Sequence, residues 1–246
     1  MVKTILHIGM QRTGTTFLQH ELFPRLNIRY ITPEFFEHGQ IEMLAEFHHY
    51  IMEEDTLISN ENFYCDMFSK EDTRFERLDL IHKLFPHAKI IFAIRNKEPL
   101  KKSWYKKSIG LGATWDYETF LKNINTNVFN YEPYIEKLKQ YFNEVYIYRF
   151  EDFKKNPEKI TREICDFIGV KTPKIKKETY KTKWNIGYTE KQIKIARKLN
   201  KIFKTELNPD GIIPLKHTLH PHRIIFQKDI ILKLQGKTLK LYPVYP

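Results

Sequence analysis

The stretch TILHIGMQRTGTTFLQ, residues 4–19, constrains this chain more than any other. The apolar run TILHIG is predicted as a strand ending on Gly9, with Gly14 after four intervening residues. Phe17, Leu18 and Leu22 then begin a helical pattern over about 15–25. A strand that ends in such a glycine loop and feeds a helix gathers several backbone N–H groups around one concavity. The helix adds partial positive charge there, so the arrangement suits an anion. Triphosphate-binding loops of this spacing continue with Lys and then Ser or Thr. Here Thr15 and Thr16 follow, and the loop's strong cation is Arg12. The usual reader of a γ-phosphate is therefore missing, and Arg12 approaches a terminal group from another side.

The rest of the chain alternates short β-rich runs with longer helical segments. Further strands are predicted at IRYIT, at 56–59 (TLIS), at 89–94 (KIIFAI) and at VYIYRF. Helices are predicted over about 40–52, 71–85, from about 98, over 131–142, 157–168 and 189–205. The helix at 157–168 carries Asn156 as N-cap, Pro157 in its first turn and Gly169 just past its end. The last helix opens on the capping box Thr189-x-x-Gln192. Strands alternating with helices predict an α/β fold: three layers, a mostly parallel central sheet with helices on both faces, P-loop-like in its opening turn. Ligands of such sheets bind at the carboxyl ends of the strands. The chain reads as one domain, 1–246, with 170–246 a C-terminal extension that contributes a lid or contacts to donor or acceptor. The lysine-rich stretch 170–188 within it is expected to be a surface excursion.

Charge and cysteine content narrow the class. Forty-one Lys and Arg against 30 Asp and Glu leave a net charge of +11, which favours anionic partners. The surplus is mostly Lys dispersed along the chain, the pattern of a solvated basic surface more than of a dedicated polyanion groove. Two cysteines give no disulfide framework, and Cys165 reads as small core filler. Neither a signal-peptide pattern nor an apolar run of membrane-spanning length occurs, so a cytoplasmic protein is expected.

The residues Arg12-Thr13-Gly14-Thr15-Thr16 resemble the loop with which members of the sulfotransferase superfamily begin. These enzymes use 3′-phosphoadenosine 5′-phosphosulfate (PAPS). The resemblance implies that Gln11, Arg12, Thr13, Gly14, Thr15 and Thr16 hold the 5′-phosphosulfate, with Arg12 on the phosphate and the transferring sulfuryl group. A second element matches: KIIFAIRNKEPLKKSWYKK has a strand-end Arg95 and, eight residues on, Ser103. Helical geometry lets a fork from Arg95 and a hydroxyl from Ser103 serve one anion. In the superfamily this pair binds the donor's 3′-phosphate. YIYRFEDFKKNPEKITREICDFIGV is similar to a later strand, turn and capped helix, where Glu151 and Asp152 organise the turn. LQGKTLKLYP looks like a late basic loop, which implies a donor contact from Lys237.

The implied activity moves a sulfuryl group in line from PAPS to a hydroxyl or amine, leaving adenosine 3′,5′-bisphosphate, with no metal expected. Arg12 stabilises the leaving-group charge. The base must stand near the first loop. Glu61, after the strand TLIS, is the first choice, and His20, one turn into the helix, is the second. A glycan, a lipid or a small molecule would serve as acceptor, and nucleic acid is not expected. Two rival readings remain: a kinase or NTPase with a degenerate triphosphate loop, and a non-catalytic polyanion binder. The first lacks a strand-end Asp for Mg²⁺, and the second lacks a recognisable nucleic-acid module.

Overall fold

A computed structural model describes residues 2–36, 41–66, 68–182 and 188–214. Lys237 and the histidines at 217, 220 and 222 lie outside them. Five strands form one parallel sheet: β1 (Thr4–Gly9), β2 (Arg29–Ile31), β3 (Thr56–Ser59), β4 (Lys89–Ile94) and β5 (Val145–Arg149). The helices, in chain order, are α1 (Thr15–Phe17), α2 (Met43–Glu46), α3 (His48–Ile51), α4 (Arg74–Leu84), α5 (Lys97–Gly110) and α6 (Tyr117–Lys122). They continue with α7 (Glu132–Tyr141), α8 (Phe150–Lys155), α9 (Pro157–Ile168), α10 (Lys177–Lys181) and α11 (Glu190–Asn200). Two compact units result. The first is Met1–Leu100 with Asn123–Asn185, and the second is Lys101–Lys122 with Ile186–Pro246.

The first unit holds the whole sheet, in the order β2-β3-β1-β4-β5. All six residues of β1 are buried, as a central parallel strand requires. From β1 the chain builds β2 and β3 on one side, then crosses to add β4 and β5 on the other. The order therefore reverses between β1 and β4, which opens a crevice at their carboxyl ends. On one face Ile5, Leu57, Ile91, Ala93 and Tyr148 pack against Phe17, Leu18, Leu22 and the inner side of α9. On the other, Phe92 meets Tyr64 and the α7 residue Tyr134, both at 5.3 Å between ring centroids. The sheet is thus covered on both faces, the three-layer α/β fold expected.

Local signals were realised where they were local. The Asn156 side chain accepts from the N–H of Lys159 and Gly169 ends α9 in the left-handed region, φ 86°. Both bonds of the Thr189–Gln192 capping box are present. The helix expected over 15–25 instead breaks into α1, one wide π turn over Leu18–Leu22 and a tight 3₁₀ turn over Phe23–Arg25. Pro24 within it has no N–H to continue an α-helical ladder. The segment expected at 40–52 is two short helices, α2 and α3. The last helix ends at Asn200, after which Phe203–Lys204 (β6) pairs in parallel with Ile213–Pro214 (β7). Glu151 and Asp152 open the short helix α8 rather than a turn. Val170, Ile175 and Tyr180 pack against the first unit's core, with Tyr180 stacked on Phe17 at 5.3 Å, so 170–182 is more than a surface excursion.

The second unit has a small core of its own, in which Ile109 and Ala113 meet Ile193 and Ala196 of α11. Buried Asn200 ties it together, its amide donating to the carbonyls of Ile109 and Ala113, each at 2.8 Å. Among the described residues no helix is long and apolar enough to cross a membrane.

Gly9 carries the tightest approach in the sheet. Its φ is +135°, and a Cβ there would stand 2.8 Å from the nitrogen and 2.9 Å from the oxygen of Ala93. Gly9→Ala is expected to cost about 3 kcal/mol in urea unfolding, combining left-handed strain with overpacking. Because the clash is with backbone, adding Ala93→Gly should not restore stability.

Candidate active site

The loop from Met10 to Gly14 follows β1 at the crevice. Gly14 is left-handed at φ 88°, and a Cβ on it would press on the rings of Phe153 and Phe150 at 3.0 and 3.3 Å. Arg12 is left-handed too, at φ 69°, the one such residue besides glycine among those described. That conformation costs about 1–2 kcal/mol and accumulates at functional sites.

Three loop carbonyls are held from behind. The Thr13 hydroxyl donates to the Met10 carbonyl at 2.6 Å, and Arg95 Nη1 donates to that of Arg12 at 2.7 Å. A longer bond of 3.5 Å runs from the Tyr148 hydroxyl to the Thr13 carbonyl. In a trans peptide the C=O and the next N–H point in opposite directions. The N–H groups of Gln11, Thr13 and Gly14 are therefore aimed away from these tethers, as in an anion-binding nest.

From the β3 side comes the turn Glu61–Phe63, capped by Asn60, whose side chain accepts from the N–H of Asn62 at 2.9 Å. The Asn60 N–H donates to the His7 carbonyl at 3.1 Å, extending the β1–β3 ladder past the strand end. Thr15 Oγ1 donates to Glu61 Oε1, and Gln11 Nε2 donates to Asn62 Oδ1 at 2.7 Å. The expected base thus stands against the threonine that replaces a triphosphate loop's lysine.

At the end of β4, the Arg95 guanidinium lies 4.5 Å over the Phe150 ring. Its Nε–H is buried without an acceptor among the described residues, and so is Oε2 of Glu151 without a donor. Glu151 Oε1 accepts from the Asn96 N–H at 3.1 Å, and Arg149 Nη2 donates to Asn96 Oδ1 at 2.8 Å. Burial pulls Arg12 below its ordinary pKa and the charge of Arg95 pulls it further, while Glu61 opposes both. Arg95 is likewise lowered by burial, against the pull of Glu151 and Tyr131. Both remain cations at neutral pH. Their mutual repulsion is a strain that an anion bound at the loop would relieve.

Gln11 through Thr16, Glu61 and Arg95 are thus gathered at one end of the sheet. His20 is exposed on the π turn, its carbonyl accepting from Arg25 Nη1 at 3.3 Å. Ser103 stands on α5, in the part of that helix belonging to the second unit. Sequence reasoning overlooked Phe150, which touches Arg95, and the buried polar residues His7, Ser59 and Tyr148 behind the loop. One signal was available, since a histidine inside an apolar strand demands a buried partner.

Residues 30–174, more than half of the chain, match the pattern of the Sulfotransferase family. The match begins after the glycine loop and includes Glu61, Arg95 and Ser103. Among solved structures, the chain is similar to a sulfotransferase from Alicyclobacillus acidocaldarius, at 16% identity and TM-score 0.44 over 73% of this chain and 89% of that one. Mouse sulfotransferase SULT7A1 complexed with PAP matches at 16% identity and TM-score 0.47, over 95% of this chain and 82% of that one. The sulfotransferase domain from the curacin biosynthetic pathway matches at 17% identity and TM-score 0.42, over 100% and 93%. No curated protein matches in sequence.

The site also predicts a pH dependence. Burial lowers the His7 pKa from 6.5 to about 3, so the unfolded chain takes up a proton that the folded one refuses. Stability then falls as pH drops below the unfolded value. Urea titrations should show a loss of about 2 kcal/mol between pH 7 and pH 5 from this group, and a His7→Gln variant should lack that part of the slope.

Proposed function

The chain belongs to the sulfotransferase family, and from that premise we propose that it transfers a sulfuryl group from PAPS to a hydroxyl or amine of an acceptor. The observation that carries the reading is the tethering of the loop carbonyls of Met10, Arg12 and Thr13. It turns backbone donors outward beside Arg12, with a carboxylate held at Thr15. The donor supplies an activated sulfuryl group on a phosphate leaving group. The Arg95 Nε–H, without an acceptor among the described residues, and the crowding of two half-buried cations fit such an anionic ligand.

The chain's own groups divide the work. The N–H groups of the loop from Gln11 to Thr16 and the hydroxyl of Thr16 hold the phosphosulfate end, while the hydroxyls of Thr13 and Thr15 are spent on the Met10 carbonyl and on Glu61. Arg12 neutralises the charge that grows on the leaving oxygen. Arg95 has two duties, fixing the Arg12 peptide and, with Ser103, holding the 3′-phosphate; Lys237 adds a further donor contact. Glu61 takes the acceptor's proton, with its carboxylate oriented by Thr15. His20 is the alternative base, and its exposure makes it the weaker one. Residues 1–246 serve one transferase domain, with 170–246 as its C-terminal extension. A hydroxyl-bearing glycan, which the basic surface favours, is the first acceptor class to test, ahead of a lipid or a small phenol.

The same site argues against a triphosphate enzyme. Thr15 presents no ammonium to a γ-phosphate, and the Glu61 carboxylate stands where that charge would be repelled. Adenosine 3′,5′-bisphosphate should raise the melting temperature while ATP–Mg²⁺ and an oligonucleotide do not. Stabilisation by ATP–Mg²⁺ alone would overturn the reading. In assays with labelled PAPS, Arg12→Ala should abolish transfer and Arg95→Ala should chiefly weaken donor binding. Glu61→Gln should lower kcat by about 10²- to 10³-fold with donor affinity retained; full turnover in that variant would remove Glu61 as base.

A further inference from the structure

Behind the loop lies a buried polar chain that the proposed reaction does not use. His7 and its register partner Ser59 are fully buried. Gln19 Nε2 donates to Ser59 Oγ at 3.0 Å, which leaves the Ser59 hydrogen for His7 Nδ1 at 2.7 Å. A neutral ring accepting at Nδ1 carries its proton on Nε2. Nε2 faces the Tyr148 hydroxyl at 3.5 Å, and that hydroxyl reaches the Thr13 carbonyl, also at 3.5 Å. In this tautomer every donor in the chain meets an acceptor. In the other, Ser59 would receive two donors and lose its own acceptor, and Tyr148 would have to abandon Thr13.

The sheet is built to let this chain pass. Tyr148 is on β5, two strands from β1, and lies in register with Ala93, which pairs with Gly9. Residues two apart on a strand share a face, as do register partners, so His7, Gly9, Ala93 and Tyr148 stand on the same side. The two smallest side chains there are at Gly9 and Ala93, and the tyrosine reaches over them towards the loop. The planes of His7 and Tyr148 are nearly parallel, 15° apart, while Phe23 closes on His7 edge to face at 5.1 Å.

We infer that His7 is a positioning residue of the transferase: as the neutral Nε2–H tautomer it relays a directed hydrogen-bond chain from Gln19 and Ser59 through Tyr148 to the Thr13 carbonyl, and so aims the Gly14 N–H at the sulfate donor. The last clause rests on the sulfotransferase reading; the relay does not. Burial, which holds the imidazole down to about 3, keeps it uncharged through the physiological range. His7 touches neither donor nor acceptor and acts through the peptide between Thr13 and Gly14.

The test is long-range ¹H–¹⁵N NMR on the ligand-free protein, joined to calorimetry with adenosine 3′,5′-bisphosphate. At pH 7 the wild-type ring should show a bare Nδ1 and a protonated Nε2, and Ser59→Ala should convert it to a tautomer mixture. Tyr148→Phe keeps the ring and deletes only the hydroxyl. It should move the Gly14 amide resonance and raise the bisphosphate Kd about tenfold. An Nδ1–H tautomer or an imidazolium in the wild type overturns the relay, and so does Tyr148→Phe with an unmoved Gly14 amide. An unmoved Kd alone overturns the role in donor binding. Wild-type protein that does not bind the bisphosphate at all defeats the sulfotransferase reading, while the ring tautomer and the Gly14 amide still decide the relay.

Discussion

The hydrogen bond from Arg95 to the Arg12 carbonyl joins the ends of β4 and β1, the two strands between which the sheet reverses its order. A doubly wound sheet opens a crevice at that place whatever its sequence. Here the crevice is spanned by a cation that fixes one loop peptide and whose Nε–H has no acceptor among the described residues. The carboxyl end of β1 and the end of β4 must therefore stand close together. Gly9, packed against the Ala93 backbone, is what permits it.

Orientation of the loop comes from behind it, at a cost in buried polarity. A neutral histidine, a serine and a tyrosine occupy a sheet face otherwise lined by Ile5, Leu57 and Ile91. Each would be expensive if unpaired, and pairing them in series recovers most of that cost. Backbone direction is set by tethered carbonyls, and charge is supplied by Arg12, whose left-handed backbone turns it within a short loop.

Much of this was legible in the residues. TILHIG as a strand, the Gly9–Gly14 loop, the Asn156 and Gly169 caps and the Thr189–Gln192 box depend on neighbours within a few positions, and each appears where expected. The first helix was misjudged because apolar periodicity does not reveal that Pro24 and a π turn divide it. The approach of Glu61 to Thr15 was anticipated only as far as strand adjacency allows. That Thr15 is its partner, and that Gln11 meets Asn62 beside it, follows from the Asn60 cap that sets the turn's direction. Phe150 and Tyr148 gave no signal, since an aromatic at a strand end most often serves the core.

By itself the sequence determined the class of fold and the glycine loop that follows β1, because strand periodicity, glycine spacing and caps are short-range properties. Only the tertiary structure decided what the arginines and the loop do to one another. Arg95 and Arg12 are 83 positions apart, and Tyr148 and Thr13 are 135 apart. Such pairs are chosen by strand order and register, which emerge when the sheet closes around β1. The directions of the peptides after Arg12 and Thr13 are fixed by those distant partners, while that after Met10 is held by Thr13 within the loop itself.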